Sequence, residues 1–122
     1  MLDCIFCKII DGVIPSKIVY EDEIVIVFMD VNPIENGHML IVPKKHIDDF
    51  LVLDNETAMY INEIAKKLAD LVKNKLNPDG IKFVNNYGCE QLVKHYHLHL
   101  IPCYEQKQPI VDVDIIYDKL MK

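Results

Sequence analysis

The sequence has no apolar run long enough to cross a bilayer. Ile24 to Met29 is broken at once by Asp30, and Met39 to Pro43 by Lys44. A membrane helix needs roughly 18 to 20 such residues. The chain opens Met-Leu-Asp-Cys-Ile-Phe-Cys-Lys, which lacks a basic start followed by an apolar stretch, and no lipidation box closes it; no secretory signal is read. Basic residues are outnumbered, 13 against 19 acidic ones, for a net charge of −6. That balance argues against a surface that grips nucleic acid through its phosphates, but not against a small local phosphate pocket. Internal repeats, low-complexity tracts and linkers are missing too. These absences predict a cytoplasmic, membrane-independent chain organised as one domain over residues 1–122, with no nucleic-acid partner.

Cysteines are few: Cys4, Cys7, Cys89 and Cys103. In a reducing compartment two disulfides are disfavoured against metal binding or burial. Cys4-x-x-Cys7 has two-ligand zinc spacing, but structural thiols and a redox pair fit the spacing as well. A second Cys-x-x-Cys is absent, so a closed site needs two more ligands. His46 and one end of a histidine cluster are the natural sources.

What is present is α+β in pattern. Ile18-Val19-Tyr20 and Ile24 to Met29, separated by three acidic residues, read as a hairpin. His38 to Val42 reads as a third strand, Ile81 to Val84 as a fourth and Tyr96 to Ile101 as a fifth. Between them Ile61, Ile64, Ala65, Leu68, Leu71, Val72 and Leu76 follow helical spacing, which predicts one long helix from about Asp54 to Leu76. Asp54 is placed to cap it, and Asn77-Pro78-Asp79-Gly80 to end it. The expected architecture is a mostly antiparallel sheet of about five strands with that helix and one or two short ones.

The chemistry concentrates in five histidines, three of them at His95, His97 and His99. In a strand alternate side chains share a face, so these three line up while Tyr96, Leu98 and Leu100 enter the core. Alternate residues are roughly 6.6 to 6.8 Å apart, so three imidazoles on one strand converge poorly on a single ion with bonds near 2.0 Å. A division of labour between metal binding and chemistry fits better than one shared metal.

These residues carry a resemblance to the histidine triad (HIT) family, of the bacterial Hint-like kind. His-φ-His-φ-His-φ-φ, with φ apolar, is met from His95 to Ile101. Cys4 to Ile10, Ile14-Pro15, Val19 to Asp22, Phe28-Met29-Asp30, Asn36-Gly37-His38 and Pro43 to His46 fall in family order. The resemblance implies a HIT-like fold, a homodimer and a pocket for a purine nucleotide such as AMP or GMP. It also implies hydrolysis of nucleoside phosphoramidates and related nucleotidyl conjugates. His97 resembles the nucleophile, His99 a phosphate-binding partner and His38 the fourth pocket histidine. Asp30 resembles the holder of the ribose hydroxyls; Ile5, Phe6, Ile9, Phe28 and Val31 resemble the base pocket; Asn85, with Asn86 as its alternative, and Gln91 resemble polar residues near sugar and phosphate. Cys4, Cys7, His46 and His95 match the ligands of one structural zinc per chain. The loop before the triad departs from the pattern. Many relatives carry Ala-Gly-Gln and then a hydroxyl, where this chain has Cys89-Glu90-Gln91-Leu92. That departure raises a second expectation, a nucleotide-binding or interaction module with little catalysis. A metal-dependent hydrolase using His95 and His97 as ligands is a weaker third.

Overall fold

A computed structural model describes residues 3–122, so the expected domain span is seen from its third residue onward. Five strands form one antiparallel sheet: β1 (Ile18–Glu21), β2 (Val25–Met29), β3 (Met39–Pro43), β4 (Gly80–Val84) and β5 (Leu98–Cys103), in the order β1-β2-β3-β5-β4. Helix α1 covers Ile5–Ile10, α2 covers Asn55–Leu76 and α3 covers Val113–Met121. No helix among the described residues is long and apolar enough to cross a membrane.

The sheet separates two apolar clusters, which explains why β2 and β3 read as continuous apolar runs. Val25, Val27, Met29, Met39 and Ile41 face a large core with Ile61, Ile64, Leu68 and Val72 of α2 and with Ile116 and Leu120 of α3. Ile26, Phe28, Leu40 and Val42 face the other way, against Phe6 of α1. A strand buried on both faces loses the apolar–polar alternation of a half-solvated one. Helix α2 begins where its cap was expected: the Asp54 carboxylate accepts from the Thr57 amide at 3.0 Å. Asn77, in the left-handed region at φ 49°, ends it.

One expectation shifts. The last strand starts at Leu98 and not at Tyr96, because Tyr96 spends its amide on the Ile47 carbonyl at 2.6 Å instead of a ladder partner. The alternation still holds: Tyr96 and Leu100 are buried in the core and Leu98 packs against it, while the histidines face α1. Helix α3, one of the short helices expected but not placed, follows the helical spacing of Val113, Ile116, Tyr117 and Leu120. All four pack in the core.

Gly37 fixes the approach to β3. Its φ is +98°, and a Cβ there would lie 2.6 Å from Leu76 Cδ1 and 2.9 Å from Pro102 Cγ. Glycine therefore lets the chain turn under α2 just before His38.

Candidate active site and metal centre

Helix α1 builds a cluster of two thiols and two imidazoles that could hold a metal ion. The Cys4 thiol caps the helix, accepting from the Cys7 amide at 3.4 Å, so the two thiols share one turn. Cys4 Sγ lies 3.3 Å from His95 Nδ1; Cys7 Sγ lies 3.3 Å from His46 Nδ1 and 3.6 Å from His95 Nδ1. The four ligand atoms are all within 4.8 Å of one another. A tetrahedral zinc with ordinary Zn–S and Zn–N bonds sets sulfur and nitrogen roughly 3.6 Å apart, so this set fits such an ion.

The far nitrogen of each imidazole decides which lone pair is free. His95 Nε2 donates to the Pro43 carbonyl at 2.7 Å, and His46 Nε2 donates to the Asp48 carboxylate at 2.8 Å. Both Nδ1 lone pairs therefore point into the cluster, as metal-ligating histidines require. Burial, and next the neighbouring Cys4 thiol, push the Cys7 thiol up to about 11. A bound divalent cation reverses this, since a coordinating thiol is deprotonated.

Two residues further on, the arrangement inverts. His97 Nδ1 donates to the His95 carbonyl at 2.8 Å, which leaves its Nε2 lone pair unengaged. The Ile34 amide donates to His38 Nδ1 at 3.1 Å. His38 therefore carries its proton on Nε2 and donates to His99 Nδ1 at 2.9 Å, with Asp30 Oδ2 at 3.4 Å. His99 in turn keeps its proton on Nε2. Gln91 Oε1 is the one buried side-chain nitrogen or oxygen without a partner among the described residues. The free Nε2 atoms of His97 and His99 thus reach solvent.

They reach it through a cavity of about 500 Å³. Ile5, Phe6, Ile9, Phe28 and Val31 line it, as do Asp30, His38, His97 and His99. Phe6 stands edge-on to His97, with ring centroids 4.9 Å apart. Burial lowers the pKa of His97, and lowers that of His38 against the opposing pull of Asp30. Burial, helped by His97 and His38, takes His99 down to about 4. All three imidazoles are neutral at pH 7, which is the state a nitrogen nucleophile needs. Asp30 also receives the Asn32 amide on Oδ1 at 2.8 Å, so it holds its own turn while facing the cavity.

The two polar residues of the loop before β5 sit elsewhere than expected. Asn85 does not line the cavity: its side chain donates to the His97 carbonyl at 3.0 Å, and the neighbouring Asn86 lines the wall instead. Gln91 is buried and donates to the Asp48 carbonyl at 2.7 Å, tying this loop to the segment that carries His46. Sequence reasoning missed the backbone groups of Ile34, Pro43 and His95, which no side-chain motif records. It also missed Asp48, for which His46-x-Asp48 was an available signal.

The fold and site define an α+β protein with a histidine-walled cavity beside a two-cysteine, two-histidine cluster. The HIT domain profile matches residues 11–106, and the chain belongs to the HIT family. It is 49% identical over 111 residues to an uncharacterised HIT-like protein of Methanocaldococcus jannaschii, covering 88% of this chain and 84% of that one. It is 34% identical over 103 residues to an adenosine 5′-monophosphoramidase of Schizosaccharomyces pombe, covering 83% and 74% of the two chains. A zinc-bound histidine triad family protein from Mycobacterium smegmatis shares the fold, with a TM-score of 0.89 at 28% identity over 98% of this chain and 91% of that one.

Proposed function

We propose that the protein hydrolyses purine nucleoside phosphoramidates and related nucleotidyl conjugates through a nucleotide bound covalently to His97. The carrying observation is the hydrogen bond from His97 Nδ1 to the His95 carbonyl, which aims a neutral Nε2 lone pair into the cavity. The base packs among Phe6, Ile9 and Phe28, and Asp30 meets the ribose hydroxyls. His97 Nε2 attacks phosphorus, the phosphorus–nitrogen bond breaks, and the amine leaves after taking a proton from water. The positive charge on the substituted ring is met at Nδ1–H by the His95 carbonyl. His99 Nε2–H donates to a phosphoryl oxygen, its orientation fixed by His38 and the Ile34 amide. A water then attacks phosphorus, its proton passing to the hydroxide left by the first step, and the bond to His97 breaks, releasing the nucleoside monophosphate. Splitting one displacement into two and presetting the donors are the usual sources of rate in such reactions.

Cys4, Cys7, His46 and His95 would hold one zinc per chain. Two thiolates neutralise its charge, and with all four positions filled by protein its contribution is structural. A homodimer is part of the same proposal. It is supported by edge strand β4 and the groove beside it, where Phe83 is exposed next to Ala58, Ala65 and Ala69 of α2. Releasing AMP from adenosine 5′-phosphoramidate, with a burst of enzyme-bound nucleotide on rapid quench, tests the reaction. Leu92, 90% exposed on the cavity wall where many relatives carry a hydroxyl, supports the rival of a slow binding module. Nucleotide binding without a burst would favour that rival.

A further inference from the structure

Asn36 is a buried polar side chain that does not line the cavity. It lies between β2 and β3, in the irregular stretch from Asp30 to His38. None of the residues from Asp30 to Glu35 is buried, and Val31 and Ile34 are 75% and 62% exposed. Asn36 is 6% exposed. A buried amide is costly unless its hydrogen bonds are made. Here they are made to one distant segment. Asn36 Nδ2 donates to the Pro109 carbonyl at 3.0 Å and to Gln108 Oε1 at 3.5 Å, and Oδ1 accepts from the Val111 amide at 3.0 Å. The Tyr104 hydroxyl donates to the Asn36 carbonyl at 2.9 Å. One residue thus fastens the stretch to residues 104–111.

The fastened stretch sets the place of a proton. The Ile34 amide donates to His38 Nδ1 at 3.1 Å, and the His38 amide donates to the Glu35 carbonyl at 3.2 Å. Asn36 lies inside that closed turn. The Ile34 amide keeps the His38 proton on Nε2, and that proton, donated to His99 Nδ1 at 2.9 Å, keeps the His99 proton on its own Nε2. Ile34 itself is exposed, so side-chain packing does little to hold its backbone in place. Without the tie to residues 104–111 the amide is free to leave Nδ1. His38 can then carry its proton there, and His99 loses the bond that fixes its donor.

Resting on the phosphoramidate reading, we infer that Asn36 is a positioning residue. By tying the stretch to residues 104–111 it holds the Ile34 amide on His38, and so keeps a donor on His99 aimed at the phosphate. Asp30 is held separately, at the neck of the stretch. Its amide donates to the His38 carbonyl at 3.1 Å and its carboxylate accepts from the Asn32 amide. Ribose binding is therefore largely independent of the tie.

The test compares wild type with Asn36→Ala, with Tyr104→Phe and, as a control, with Tyr117→Phe. The control removes another buried hydroxyl bond, to the Ile18 carbonyl at 2.8 Å, away from this stretch. Long-range proton–nitrogen NMR of the free protein reads the imidazole tautomers. In wild type His38 and His99 should each carry the proton on Nε2 alone. In Asn36→Ala the Nδ1 and Nε2 shifts of both rings should move toward each other. With adenosine 5′-phosphoramidate, kcat should fall about tenfold while KM changes by less than about twofold. Tyr104→Phe should move both readouts the same way by less, and Tyr117→Phe should move neither, whatever its cost in Tm. His38 protonated on Nδ1 in wild type, wild-type tautomers in Asn36→Ala, or the same shift in Tyr117→Phe overturns the inference. A tautomer shift with kcat unchanged overturns it as well. If Asn36→Ala does not fold, Tyr104→Phe decides on the same readouts. The tautomers are read without substrate. A protein that cleaves no phosphoramidate therefore fails the hydrolase reading by itself, and the NMR comparison alone decides whether Asn36 sets the two rings.

Discussion

His95 and His97 are two residues apart on the same side of the chain, and they are prepared for opposite tasks. His95 donates from Nε2 to a carbonyl and turns Nδ1 inward to two thiols. His97 donates from Nδ1 to a carbonyl and turns Nε2 outward to a cavity. Both rings are buried and neutral. In the proposed reaction the partner of the second nitrogen, and not the ring's exposure, decides between a ligand and a nucleophile. Each neighbour repeats the lesson: His46 is set by Asp48 in the manner of His95, and His99 is set by His38 with its Nε2–H outward.

The comparison can be broken from either side. Replacing His97 with Ala should cost at least about a thousandfold in kcat/KM, as loss of a nucleophile does, while zinc content by elemental analysis stays at one per chain. Loss of zinc in that variant would merge the two regions into one. His99→Ala removes a preset donor and should cost about a hundredfold in kcat, again with zinc retained. Cys4→Ser should act the other way round. It should release zinc and lower Tm by about 10 °C or more, while the remaining folded fraction still forms the covalent nucleotide.

A smaller effect comes from acid. His99 binds its proton near pH 4 in the folded state and near 6.5 when unfolded. Between those values the unfolded chain holds more protons, so stability contributed by His99 is complete above about pH 6.5 and is lost as pH falls toward 4. Tm measured across that window should decline less steeply in His99→Gln; identical slopes would contradict the assignment. The smallest change is Leu92→Ser, which restores a hydroxyl at the cavity wall. It should raise kcat/KM by no more than about tenfold, the worth of one hydrogen bond made in the transition state. A far larger gain would instead support the binding-module rival for the native chain.

The shared face of His95, His97 and His99 was legible because alternation in a strand is a strong rule. It held even though the ladder begins only at Leu98. Helix α2 and its cap, and strands β1 to β4, followed from periodicity and turn residues. Less legible was α1, whose six residues are ordered by a thiol cap and by the cluster it serves. The shift from Asn85 to Asn86 depends on the path of an irregular loop, and one residue there exchanges a side chain that holds the His97 backbone for one that faces the cavity. The groups that fix the tautomers are the Ile34 amide and the Pro43 and His95 carbonyls. Backbone groups have no letter in a sequence, so their role emerges only from the fold.

The central claim concerns one atom, His97 Nε2. Rapid quench during turnover of adenosine 5′-phosphoramidate, followed by peptide mapping and phosphorus–proton NMR of the trapped adduct, locates the nucleotide directly. The account predicts adenylate on His97, joined at Nε2, with Nδ1 unsubstituted. Adenylate on another histidine, attachment at Nδ1, or steady turnover with no adduct at all would contradict it.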